Sequence, residues 1–246
     1  MTPWQQGDEH HSAETIQTPG RVTVNEGSRT LMARRVGFAV AAAATIVFAV
    51  VTHDVVTHGP LSSRDVAAVS WLGAHRNGAL DTAMSLISRT GGPSATSAYA
   101  AVLFIAYCVL QRVRAAMVVA TVVYGGALLN VALKHLVERS RPRLEFPLAS
   151  LTTYGFPSGH AAASTVFGGL LCILAWRSGV RGSSFVAVAA CCVAWIVLVC
   201  VSRVYLGLHY PTDLAAGVAE SVLWLMIATF LIDRYSVDFR LRARHS

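Results

Sequence analysis

Gly182–Val201 reads GSSFVAVAACCVAWIVLVCV, twenty residues without one Asp, Glu, Lys or Arg. At 1.5 Å per residue, a helix of about this length crosses the roughly 30 Å hydrocarbon core of a bilayer. No water reaches the backbone there, so its N–H and C=O groups pair within the segment as an α-helix, and the run is too long for a barrel strand. Five further runs behave alike: Val36–Thr52, Ser94–Leu110, Ala115–Leu133, Ala161–Trp176 and Leu214–Ile232, with Glu220 in the last as the sole charge among them. The whole chain agrees with these segments. It is 54% hydrophobic and 13% charged, against roughly 25% charged in a soluble domain, and its mean hydropathy is +0.52. That composition excludes a disordered chain and argues against a soluble enzyme, because too little polar surface exists to face water. The expected fold class is all-α: a polytopic membrane protein with six transmembrane helices. No internal repeat is visible. Cys108, Cys172, Cys191, Cys192 and Cys200 all lie in apolar runs and read as small buried hydrophobes rather than a disulfide framework.

The pattern divides the chain into a polar tail at 1–35, a six-helix membrane domain at 36–235 and a basic tail at 236–246. The first tail has little that would form a core and is expected to be disordered. It lacks an early apolar stretch with a cleavage site, so the first span is expected to act as an uncleaved anchor. Between the first two spans, Val66, Val69, Trp71, Leu72, Leu80, Met84 and Ile87 recur at near-helical spacing among Asp65, Arg76, Asp81 and Arg89. This predicts short interfacial helices, serving either as a structural cap or as one wall of a lipid entrance.

Basic residues orient the spans. One side holds Arg21, Arg29, Arg34, Arg35, the Arg112/Arg114 and Arg177/Arg181 turns, and Arg234, Arg240, Arg242 and Arg244, which is 12; the other holds Arg64, Arg76, Arg89, Lys134, Arg139, Arg141, Arg143 and Arg203, which is 8. The positive-inside rule puts both termini in the cytoplasm of a multi-pass cell-membrane protein. The formal net charge of +7 then reflects orientation and anionic lipid. Trp4, Trp71, Trp176 and Trp224 form no base-stacking pattern, so no nucleic-acid partner is expected.

Three polar segments fall on the opposite, extracytoplasmic face: Lys134-HLVERS-Arg141-Pro142-Arg143, Phe156-Pro157-Ser158-Gly159-His160, and Ser202-Arg203-VYLGL-His209-YPT-Asp213. Lys134, the chain's one lysine, joins Arg141 and Arg203 in bringing cations together, and guanidinium forks match tetrahedral oxyanions. Pro157-Ser158-Gly159-His160 opens a helix whose first-turn N–H groups suit an anion, although the string also fits an ordinary loop-to-helix turn. Four residues apart, His209 and Asp213 place a carboxylate where it can fix one ring nitrogen and leave the other as a nucleophile; such a pair is equally often a structural contact or a metal fragment. His160, His209 and Asp213 would be the metal ligands, but a divalent ion repels the three surrounding cations. Neither metal nor other cofactor is expected.

Together the segments resemble the three-part signature of the type 2 phosphatidic acid phosphatase superfamily: K-x6-R-P from Lys134 to Pro142, P-S-G-H from Pro157 to His160, and S-R-x5-H-x3-D from Ser202 to Asp213. All three are complete and in order, and the helical pattern extends the likeness over about 36–235. The resemblance implies a six-helix, metal-independent hydrolase of lipid phosphates or diphosphates, with a lipid phosphate in the bilayer as its partner. It assigns His209 as the nucleophile forming a phosphohistidine, Asp213 as its orienting carboxylate, and His160 as the acid that protonates the leaving oxygen and then activates water. Lys134, Arg141 and Arg203 would hold the phosphoryl oxygens, helped by Ser158 and the Gly159 N–H. The same signature is similar to that of vanadium-dependent haloperoxidases, and a non-catalytic scaffold or transporter reusing the fold is a third class. Glu220 reads as an intramembrane functional group, as a structural partner of a group such as Asn130, or as a position on the rim of the substrate cavity. Arg139, Arg143 and Glu145 read as head-group selectors or as a solvated loop face. His53, His58, His75 and His135 have no partner spacing that suggests a site.

Overall fold

The computed structural model describes residues 23–142, 153–235 and 239. Trp4, Arg21, Arg143, Glu145 and the C-terminal tail other than Phe239 lie outside the described residues. The chain divides into two units, 1–38 and 39–246. Among the described residues all regular structure is helical. In order, the helices are α1 Thr23–Val56, α2 Pro60–Ala74, α3 Gly78–Thr90, α4 Pro93–Val109, α5 Val113–Val137, α6 Gly159–Arg177, α7 Gly182–Tyr205 and α8 Pro211–Tyr235. The described part of the first unit is the beginning of α1, a helix that starts at Thr23, well before the apolar run at Val36.

Local chemistry sets the helix starts. Proline opens α2, α4 and α8, where its missing N–H costs nothing and its fixed φ suits the first turn. Asn77 caps α3 by accepting from the Leu80 N–H at 3.0 Å, and Ser158 caps α6 by accepting from the Ala161 N–H at 3.4 Å.

Five helices are long and apolar enough alone to cross a bilayer: α1 from Arg35, α5, α6, α7 and α8. The run at Ser94–Leu110 departs from the sequence expectation of a helix that crosses alone. α4 is only 17 residues long, and it reaches spanning length together with α3, from which it is bent by 43°. The chain is thus a multi-span helical membrane protein in which α2 and α3 are the two short helices between the first span and α4.

α6 is the hub of the second unit, packing against α4, α5, α7 and α8. Its Val166, Phe167, Leu170 and Leu174 meet Val119, Val122 and Val123 of α5 and Ala228 and Ile232 of α8 in the main core. Large apolar side chains that point outward instead, such as Val186, Val193 and Val197 on α7, suit a helix whose outer face meets acyl chains.

Candidate active site

The three polar segments converge where α5 ends, α6 begins, and α7 gives way to α8. Past Lys134 the chain leaves α5 through Glu138, which holds a left-handed φ of 52°, and returns as the Gly155 N–H donates to the Arg139 carbonyl at 2.7 Å. Lys134 Nζ donates to the carbonyls of Tyr154 at 2.8 Å and Pro157 at 2.7 Å, joining the first segment to the second. The Ser158 N–H donates to the Asp213 carbonyl at 2.9 Å, joining the second to the third. Arg141 Nη1 donates to the Leu208 carbonyl at 2.8 Å and closes the triangle. The convergence requires α8 to approach the start of α6 closely. A Cβ on Gly217 would stand 2.7 Å from the Ser158 carbonyl oxygen, so only glycine fits there.

At the centre, His209 Nδ1 lies 3.3 Å from Asp213 Oδ2, with both side chains buried. Its other nitrogen, Nε2, lies 2.8 Å from Arg141 Nη1. Arginine is a donor only, so Nε2 accepts and the ring proton resides on Nδ1, facing the carboxylate. The pair of contacts therefore fixes the tautomer that leaves a lone pair on Nε2. Burial, with Asp213 opposing and Arg141 and Arg203 assisting, pulls the His209 pKa down from 6.5 to about 4, so the imidazole is neutral near pH 7.

Around Nε2 stand the cations. Arg141 is also held by the Thr153 carbonyl at 2.8 Å and the Thr153 hydroxyl at 3.0 Å; burial lowers its pKa, with Asp213 working against that. Arg203 is 4% exposed and donates through Nη1 to Ser88 Oγ on α3 at 2.6 Å. Its Nε and Nη2 are buried without a partner among the described residues, an arrangement that costs several kcal/mol unless an acceptor arrives. Ser158 is fully buried with its hydroxyl engaged as the α6 cap.

A cavity of about 300 Å³ opens beside His209. Lys134, Arg141, Gly159, His160 and His209 line its polar end, and Val123, Ala127, Val131, Ala163 and Val166 line its apolar length between α5 and α6. Oxyanions suit the first end and an acyl or isoprenyl chain suits the second. Among the described residues, no three His, Cys, Asp or Glu side chains gather as a metal site would require.

Two polar pairs add to what the sequence suggested. Asn130 Nδ2 donates to Glu220 Oε1 at 2.5 Å, which makes Glu220 a partner of Asn130, itself on the cavity wall. Arg139 is held by two carboxylates rather than left in a solvated loop face. Its guanidinium bridges Asp213 Oδ1 at 2.6 Å and Asp65 Oδ2 at 2.8 Å. Sequence reasoning missed Asp65 as part of this region, although it shares the buried face of α2 with Val69. Tyr154 gave no signal, because it contributes a carbonyl that any residue has, and Thr153 adds only its hydroxyl to the same kind of contact.

Known proteins place this arrangement. The family model described as PAP2 superfamily matches residues 115–235, a stretch that contains every segment converging on His209. Over these residues the chain is PAP2-like. Similar curated relatives include a lipid A 1-phosphatase of Rhizobium etli, 30% identical over 130 residues, or 49% of this chain and 51% of that one. A phosphatidylglycerophosphatase B of Bacillus subtilis is 36% identical over 99 residues, covering 39% of this chain and 47% of its own. The chain spans about half the length of the curated relatives it matches. In three dimensions it is similar to the crystal structure of the first transmembrane PAP2 type phosphatidylglycerolphosphate phosphatase from Bacillus subtilis. The TM-score is 0.71 at 23% identity, over 79% of this chain and 96% of that one, a likeness of fold.

Proposed function

We propose that this PAP2-like protein is a cell-membrane phosphatase that removes the terminal phosphate of a lipid phosphate or diphosphate through a phosphohistidine, without a metal. The observation that carries the reading is the buried His209–Asp213 pair, whose Nε2 lone pair is fixed toward Arg141 at 2.8 Å. Relatives named as phosphatidylglycerophosphatase B and lipid A phosphatases support a lipid substrate. Candidates with a terminal phosphate are phosphatidic acid, phosphatidylglycerol phosphate and an isoprenyl diphosphate. With both termini cytoplasmic, the site works on the extracytoplasmic leaflet.

Phosphate entry gives Arg141 and the two partnerless donors of Arg203 oxyanion acceptors, and Arg141 releases Nε2 as it turns to them. Lys134, Ser158 and the Gly159 N–H complete the cradle. The Nε2 lone pair then attacks phosphorus while the bond to the lipid oxygen breaks and that oxygen takes a proton from His160. Asp213 stabilises the positive charge that the ring acquires. Water next attacks the phosphohistidine, giving its proton to His160 as the P–N bond breaks, and inorganic phosphate leaves. Positioning and charge neutralisation supply most of the acceleration in such transfers.

The deciding experiment is phosphate release by the purified chain in detergent, with EDTA, across the three lipids. Release is expected to survive EDTA and to vanish in His209→Ala. Loss in EDTA with recovery on adding a divalent ion, or undiminished release by His209→Ala, overturns the reading.

A further inference from the structure

Arg139 stands between two buried carboxylates. Its Nη1 donates to Asp213 Oδ1 at 2.6 Å and to Thr212 Oγ1 at 2.7 Å, and its Nη2 donates to Asp65 Oδ2 at 2.8 Å. The guanidinium also lies over the Tyr210 ring, 4.5 Å from its centroid. Asp65 accepts the Thr212 N–H at 3.2 Å and the Thr212 hydroxyl, so α2 is pinned to the first turn of α8. Neither Arg139 nor Asp65 lines the cavity, which separates them from Arg141 and Lys134.

A carboxylate is held toward an imidazole more firmly when further hydrogen bonds fix its oxygens. Asp213 Oδ2 already takes the Tyr210 N–H at 2.9 Å as well as His209 Nδ1 at 3.3 Å. Oδ1 accepts from Arg139 Nη1. Asp65 in turn holds the other arm of the guanidinium, which keeps Arg139 from swinging to an incoming phosphate. We infer that Arg139, anchored by Asp65, is a positioning residue that aims the Asp213 carboxylate at His209. The inference rests on the phosphatase reading above and deepens it. Burial draws the Arg139 pKa down, but the charges of Asp213 and Asp65 outweigh it and hold the group above its ordinary value. A permanent cation is thereby kept beside two carboxylates that would otherwise repel.

The test is steady-state kinetics of the full chain in detergent, with the unfolding midpoint of each variant measured alongside. Arg139→Gln should lower kcat by about 10- to 100-fold, as small misplacements of reacting groups do, with KM changed by less than about 2-fold. Arg139→Lys, which keeps the charge but not the fork, should recover part of that loss. Adding Arg139→Gln to Asp213→Asn should cost less than about 2-fold more, because a residue acting through Asp213 has nothing left to aim. A raised KM at unchanged kcat would instead make Arg139 a head-group contact, and a full additive loss in the Asp213→Asn background would make it structural; either overturns the inference. Should Arg139→Gln fail to fold, Asp65→Asn carries the same cycle with Asp213→Asn. An active wild type with unaffected Arg139 variants overturns the positioning role alone, whereas a wild type that releases no phosphate overturns the phosphatase reading and this role with it.

Discussion

Between its two partners His209 has no choice of proton: Arg141 occupies Nε2 as a donor and Asp213 waits at Nδ1. A neutral, buried imidazole with its pKa near 4 should therefore titrate far below a solvated histidine. NMR of ring-labelled protein in micelles, assigned with His209→Ala, should show its signal moving only as pH falls through about 4. A midpoint near 6.5 would place the ring in water. The sign for stability follows from linkage: between about 6.5 and 4 the unfolded chain binds a proton that the native ring refuses, so this residue's contribution falls as pH drops through that window. The roles of its neighbours separate by leaving group. His160→Ala should slow turnover of lipids with an alkoxide leaving group by about 10²- to 10⁴-fold and an activated aryl phosphate much less, since general-acid assistance has that typical size. Equal losses on the two substrates would show that His160 donates no proton to the leaving oxygen. Asp213→Asn should leave the shape intact but weaken both substrates together. These residues were legible in the sequence because each segment concentrates charge where the flanking spans have none. Asp65 was not: an acidic side chain on a short amphipathic helix looks the same whether it faces water or an arginine 74 residues away.

At the scale of elements, the spans were readable because lipid imposes length and composition together, and the ends of α5 through α8 fall within a few residues of the apolar runs. The α3–α4 bend was not readable, since hydropathy counts residues and is blind to direction. Packing contacts were equally silent until α8 was seen against α6. Gly217 faces a backbone carbonyl, which cannot rotate away as a side chain can. Gly217→Leu is expected to push α8 off the Pro157–Ser158 turn and destabilise the fold by about 1–3 kcal/mol, the usual size of an overpacking penalty. Thermal unfolding in detergent checks this, and phosphate release should fall with it because the Ser158 N–H to Asp213 carbonyl bond crosses the same contact. Gly73→Ala on α2 is the control: nothing lies within 4 Å of its added Cβ, so the midpoint should hold or rise slightly. Equal destabilisation by the two would remove the close-approach argument.

For the whole molecule, the direction of insertion decides which leaflet supplies substrate. Helix order already puts the turns at 110–112 and 178–181 at the helix ends opposite the site, because α5 and α7 finish at it while α6 and α8 begin there. Those distal turns and the helix ends beside them carry Arg112, Arg114, Arg177 and Arg181, and the positive-inside rule predicts that they face the cytoplasm. The opposing count of 8 basic residues weakens as a signal once placed: Lys134, Arg139, Arg141 and Arg203 are committed to the site and its supports. A single cysteine in a background lacking the native five reads the orientation directly. Ala79 and Ser178 are both exposed; the first lies at the start of α3, near the Tyr205 end of α7 to which Asn77 is bonded at 3.2 Å, and the second follows α6 at the far end. In intact cells an impermeant thiol reagent should label Ala79→Cys at once and Ser178→Cys only after the membrane is opened. The reverse pattern would turn the cavity toward the cytoplasm and assign the substrate to the inner leaflet, leaving the chemistry at His209 unchanged.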